Sequence, residues 1–144
     1  MDIKIIDQIK GKVSVIIQCD QVDHEVKKLK AHIENFDNKL YGYEDGRQFV
    51  INLSQVLYFE SVDNRSFLYT EDKVLEVKKR LYQLEETLPK EDFIRISKSL
   101  IVNINKISSL MPQLNRTILL KLNNGESLYI SRKYVPAVKK LLSI

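Results

Sequence analysis

The 144 residues predict a mainly β domain with small helices, an α+β chain. Three observations carry this. Short runs of β-branched and aromatic residues recur from Leu40 onward. Asp45-Gly46 and Asn123-Asn124-Gly125 fall between such runs, where glycine accepts the positive φ of a hairpin turn. Helical periodicity is confined to three short stretches, near residues 22–36, 78–88 and 133–142.

The elements follow in order. Val13–Cys19, VSVIIQC, reads as a strand. Asp20 to Asp23 supply helix-start residues, and Val22, Val26, Leu29, Ile33 and Phe36 then make one apolar helical face. Residues 1–39 thus form a strand-helix unit with its own logic, and Asp37-Asn38-Lys39 links it to the main domain, 40–144. There LYGY and RQFVIN flank the first hairpin turn, and Val56–Glu60 is a buried strand. Ser61–Ser66 reads as a polar turn, Phe67–Thr70 as its returning strand and Val74–Val77 as a further one. A helix over Lys78–Leu88 shows Val77, Leu81, Leu84 and Leu88 inward and stops at Pro89. Residues 93–107, FIRISKSLIVNINKI, suit neither period; a short helical turn wedged between extended pieces fits them. Strands Thr117–Leu122 and Ser127–Ile130 close the fold, followed by a helix over Lys133–Leu142 with Pro136 in its first turn.

Charge is divided unevenly. From Arg95 to the end there are nine Lys or Arg and one acid, Glu126, a balance of +8; the whole chain carries +4, so residues 1–94 carry −4. A basic half suggests a polyanionic partner met on one face. No stretch approaches the roughly 20 apolar residues that span a bilayer. The opening MDIKIIDQIKGK lacks the apolar core of a signal peptide. One cysteine, Cys19, allows no intrachain disulfide, so a cytoplasmic location is expected and Cys19 reads as a small packed hydrophobe.

Catalytic chemistry finds no foothold. His24 and His32 are eight residues apart on one helix, roughly 12 Å by helical rise, too far to share a metal, and read as surface residues. HExxH, CxxC, GxSxG and the P-loop pattern are absent, and Glu85, Glu86, Glu91 and Asp92 read as a solvated charge cluster. An enzyme, a metal, a cofactor and a small-molecule substrate are therefore not expected.

Three polar patches interrupt the framework: Asp63-Asn64-Arg65-Ser66; Ser97-Lys98-Ser99, with Arg95 before and Asn103 after; and Ser131-Arg132-Lys133. Hydroxyls and amides bind phosphate oxygens, and cations bind phosphate or guanine acceptors. Any one patch is also ordinary turn chemistry; three sharing a cationic bias point toward nucleic acid. A non-catalytic protein-interaction module whose basic face meets an acidic protein is the alternative.

At this point the residues match a family. Phe93-Ile94-Arg95-Ile96-Ser97-Lys98-Ser99-Leu100-Ile101-Val102-Asn103 resembles the LytTR signature F-x-R-[IC]-H-[RKN]-S-[FY]-[ILV]-V-N. Leu122-x-x-Gly125, then Ile130-Ser131-Arg132-x-Tyr134, resembles its closing motifs, and VLYFES at 56–61 resembles I-x-Y-[FI]-E-[SA]. The resemblance covers roughly residues 40–142. It implies short antiparallel sheets stacked along one axis and binding of double-stranded bacterial promoter DNA, often as paired sites and so as a homodimer. Loops, not a recognition helix, enter the major groove. The implied base-approaching residues are Ser66, Lys98 and Arg132, presented side by side on three tips of a stiff β scaffold. Arg132 suits a guanine edge because its planar fork matches O6 and N7. Asn64, Arg65, Arg95, Ser97, Ser99, Ser131 and Lys133 are phosphate candidates, with a second reading of Arg95 as partner to a carboxylate inside the fold. Asn103 reads as a brace for its own turn.

Two departures matter. Ser97 stands where the family usually has His, a shorter and neutral group. Only about 39 residues precede the matching region, too few for a receiver domain. Short members of this kind resemble regulators held by a small membrane protein, with the N-terminal unit as a dimerisation or docking element; the plainer alternative is that the unit simply packs on the core.

Overall fold

The computed structural model describes residues 1–7, 11, 13–34 and 38–144. Its centre is a seven-stranded antiparallel sheet built from β1 (Lys39–Glu44), β2 (Arg47–Asn52), β3 (Tyr58–Val62), β4 (Arg65–Tyr69), β5 (Val74–Val77), β6 (Phe93–Arg95) and β7 (Leu100–Asn103). The strand order is β2-β1-β5-β4-β3-β7-β6. A second sheet, in the order β10-β9-β8, contains β8 (Ile107–Pro112), β9 (Ile118–Leu122) and β10 (Ser127–Ile130). The helices are α1 (His24–Glu34), α2 (Leu81–Thr87) and α3 (Val135–Leu142). Mostly strand with few helices is the class the sequence predicts.

Two cores use the two faces of the large sheet. Successive strand residues point to opposite faces. Phe59 and Ile101 therefore enter one core, with Leu68, Leu75, Leu81 and Leu84 beneath α2. Tyr58 and Val102 enter the other, with Leu120, Leu122 and Ile130 of the small sheet and Val138 of α3. The large sheet is thus a middle layer between α2 and the small sheet.

Local turn chemistry sets the hairpins. Asp45 and Gly46 both take positive φ, at 49° and 78°, and join β1 to β2 in register from Glu44↔Arg47 outward. Gly42 serves a different end. A Cβ there would lie 2.6 Å from the Leu75 side chain, so its absence lets β1 close on β5. Asn103 is 2% exposed and braces its turn as expected; Nδ2 donates to the Val56 carbonyl at 2.8 Å while Oδ1 accepts from Asn105 N at 3.1 Å. The helical turn foreseen within 93–107 is the 3-10 turn Ile104–Lys106. Pro136 stands in the first turn of α3.

Several expectations need correction. Residues 13–19 form no strand; Val13, Val15 and Ile16 are exposed, because strand propensity yields no ladder without a neighbour to bond. Cys19 is accordingly exposed, not packed. Phe36 and Asp37 lie outside the described residues. The helix α1 does form, started by Asp23, whose carboxylate accepts from Val26 N at 2.9 Å. Asp92 is not part of a solvated charge cluster: it is buried, its Oδ1 lies 3.2 Å from Nδ1 of the exposed His32, and it accepts from Asn105 Nδ2 at 2.8 Å. The second helix begins at Leu81, and Val77 belongs to β5. Strand β8 was not foreseen, since Ser108 and Ser109 and a register shift between Ile107 and Ser109 break its alternation.

Candidate nucleic-acid interface

The turn expected over Ser61–Ser66 is tighter than the sequence suggests. Ser61 pairs with Ser66 and Val62 with Arg65, leaving Asp63 and Asn64 as a two-residue turn with φ of 50° and 62°. Short polar side chains tolerate that left-handed backbone. Strand alternation then sends Ser66 inward, on the same side as Leu68, and Ser66 is 5% exposed. The sequence placed Ser66 at a groove-facing tip; the structure puts it below the surface, and Asp63, Asn64 and Arg65 are the exposed members of this patch.

Arg65 is already engaged. Its guanidinium donates to Glu76 through Nε at 3.0 Å and Nη2 at 2.5 Å, and sits 5.4 Å from the Phe67 ring centre. Hydrogen bonding to Arg65, helped by its charge, outweighs desolvation and holds the Glu76 carboxyl below its ordinary range.

The second patch is the connection between β6 and β7. Ile96 N and Ser97 N both donate to the Leu100 carbonyl, at 3.0 and 3.4 Å, making a tight loop with Lys98 at its exposed tip. Arg95 holds that loop from below. Its Nε donates to the Ser97 carbonyl at 2.8 Å, Nη2 to the Lys98 carbonyl, and Nη1 to Glu85 of α2 at 2.8 Å. Arg95 is thus the carboxylate partner of the second reading, and its fork is committed inside the protein. Ser99 N donates to Ser97 Oγ at 3.2 Å, and both serines are half-buried.

The third patch follows β10. Ser131 is half-buried, whereas Arg132 and Lys133 are exposed on a 3-10 turn ahead of α3. Lys133 Nζ lies 5.6 Å from the Tyr134 ring centre.

Two backbone hydrogen bonds join the three patches. Ser61 N donates to the Ser99 carbonyl at 2.9 Å, and Ser131 N donates to the Ile96 carbonyl at 2.9 Å. The β3–β4 turn, the Lys98 loop and the Arg132 turn therefore stand in a row at one end of the scaffold. Asp63, Asn64, Lys98, Arg132 and Lys133 are its exposed polar tips. Among the described residues no group of three His, Cys, Asp or Glu side chains is placed to hold a metal. No helix among them is long and apolar enough to cross a membrane.

A row of polar and cationic loop tips on a rigid β framework suits a nucleic-acid-binding protein. The comparisons agree with that class. Residues 46–143 match the LytTr DNA-binding domain. An HTH-type transcriptional regulator of Staphylococcus aureus strain N315, described as uncharacterized, is 34% identical over 146 residues, spanning 92% of this chain and 99% of its own. A similarly described regulator of strain MSSA476 is 34% identical over 132 residues, covering 85% and 89%. The solved structure of a LytTr DNA-binding domain from Bacillus cereus superposes with a TM-score of 0.72 at 30% identity, covering 75% of this chain and 99% of that one. The chain belongs to the LytTr DNA-binding domain family. The helix-turn-helix in its relatives' names has no counterpart among the described residues, where α1, α2 and α3 are separated from one another by five strands each.

Proposed function

We propose that this chain is a transcriptional regulator that binds promoter DNA sequence-specifically, entering the major groove with turns. The continuity of the three patches through Ser61–Ser99 and Ser131–Ile96 supports the reading, because it lets one duplex face all of them. In this reading Arg132 and Lys98 approach base edges. Asn64, Ser97, Ser99, Ser131 and Lys133 bind phosphates, and Arg65 does so by exchanging Glu76 for a phosphate oxygen. Ser66 and Arg95 act beneath them, Ser66 inside the hairpin and Arg95 as the brace of the Lys98 loop. No catalytic step is assigned, and the protein works on DNA in the cytoplasm.

The chain binds DNA as a homodimer on paired sites in this proposal. Residues 1–39 serve dimerisation or docking to a regulatory membrane protein, which accounts for the apolar side chains of Ile3, Ile5, Val13 and Ile16 left in solvent. Random-site selection with the purified chain tests the function. Enrichment of a motif, with half-sites spaced by about one helical turn of 10–10.5 base pairs or a multiple, is expected. A pool that stays random after repeated rounds would contradict it.

A further inference from the structure

A second basic feature lies beside Arg132. The β8–β9 turn, α3 and the Arg132 turn enclose an open concavity of about 630 Å³, lined by Arg116, Arg132, Lys133 and Lys139, with Gln113 and Thr117 at its polar edge. No carboxylate lines it. Among the described residues none of these four cations takes part in an ion pair, whereas Arg65 and Arg95 are matched to Glu76 and Glu85. Four like charges around one hollow set up a positive potential there that favours a bound anion.

The wall carrying Arg116 is stiff. Gln113 N donates to the Thr117 carbonyl at 2.9 Å, Arg116 N to the Gln113 carbonyl at 3.3 Å, and Thr117 N to Asn115 Oδ1 at 3.3 Å. Arg116 itself takes a φ of 66°, a backbone state that a bulky side chain adopts only when its surroundings impose it. The facing wall is α3, whose Pro136 and Lys139 line the hollow. The hollow is open, so it suits a string of phosphates better than a single enclosed ion.

We infer that this concavity is a track for the phosphodiester backbone of the bound duplex, with Arg116 and Lys139 as phosphate contacts beyond the base-reading turns. The inference rests on the DNA reading above and extends the footprint to one side of it. Contacts of this kind add affinity without sequence information. They also fix which way along the DNA each copy points, since the hollow flanks the Arg132 turn and not the Asn64 turn.

The test is fluorescence anisotropy on the selected site with the parent, the Arg116→Ala/Lys139→Ala variant and the charge-preserving Arg116→Lys. Each neutralised phosphate contributes about 0.9 to the slope of log affinity against log salt. The double variant should therefore lose about 1.8 from that slope, and its disadvantage should shrink roughly tenfold between about 50 and about 200 mM salt. Its ratio of cognate to random affinity should stay that of the parent, and Arg116→Lys should keep the parent slope. Trimming the flank of the duplex should bring the parent down to the double variant. An unchanged slope, or trimming that weakens parent and variant alike, overturns the backbone track while leaving the DNA reading intact. Inorganic phosphate that competes far better than chloride at matched ionic strength would reassign the hollow to free phosphate and also overturn it. A parent that binds no duplex overturns both readings.

Discussion

The Tyr58 hydroxyl of β3 donates a 2.8 Å hydrogen bond to Glu126, in the turn between β9 and β10. The Tyr58 ring also stacks on Tyr69, with centres 4.3 Å apart and planes 13° from parallel. The sheet that carries the Asn64 and Lys98 tips is thereby tied to the hairpin that leads into Arg132. Tyr58→Phe keeps the ring and removes the bond. A hydrogen bond to a charged group is worth about 1.5–3 kcal/mol, and less where one partner is exposed, as Glu126 is. Urea unfolding of Tyr58→Phe should show a loss of about 1–2 kcal/mol. A midpoint equal to the parent's would mean that the bond does not join the sheets.

The same tyrosines make stability fall in alkali. Burial first, then the hydrogen bond to Glu60 and the nearby carboxylate charges, push Tyr69 up from 10.0 to about 12. Burial first, then Glu126, pushes Tyr58 higher still. The folded chain therefore keeps protons that the unfolded chain releases. This stabilisation is whole below about pH 10 and is lost as the pH rises through Tyr69's folded value of about 12. Urea midpoints across that window should decline in the parent and decline less in Tyr58→Phe/Tyr69→Phe. Parallel curves would contradict the assignment.

Arg132 and Lys133 are neighbours with different roles. Arg132→Ala should cost about 1–3 kcal/mol on the selected site and relax base choice at one position. Lys133→Ala should weaken all DNA alike and reduce the salt slope by about 1. Competition binding against single-base variants of the site measures both. Equal loss on every sequence for Arg132→Ala would remove it from base reading.

Arg95 is expected to act through the loop it holds. Lysine cannot reproduce a fork that meets the Ser97 and Lys98 carbonyls and Glu85 at once. In Arg95→Lys, amide exchange at Ser97–Ser99 should speed up while the amides of β3 and β4 keep their protection. DNA affinity should fall even though the charge is retained. Unaltered exchange in that loop would return Arg95 to the phosphate contacts.

What the sequence revealed was mainly local. Asp45-Gly46 and Asn124-Gly125 mark hairpins because their backbone needs are met within two residues. Helices α2 and α3 were legible from apolar spacing and from Pro89 and Pro136. Non-local pairing stayed hidden. Ser61, Val62, Arg65 and Ser66 look like turn residues, yet they pair in register, and that pairing buries Ser66. Strand β8 hides behind paired serines at an edge, and 13–19 has strand propensity but no ladder. The three patches were visible as residue types, but the Ser61–Ser99 and Ser131–Ile96 bonds that line them up join positions far apart in the chain. Arg116 and Lys139 went unnoticed singly, because only the folded hollow sets them beside Arg132 and Lys133.

Amide chemical-shift mapping of the chain, titrated with its selected duplex, tests the continuous edge most directly. The largest changes should fall together at residues 63–65, 97–99 and 131–133. Changes concentrated on the exposed face of α2, with those three turns silent, would contradict it.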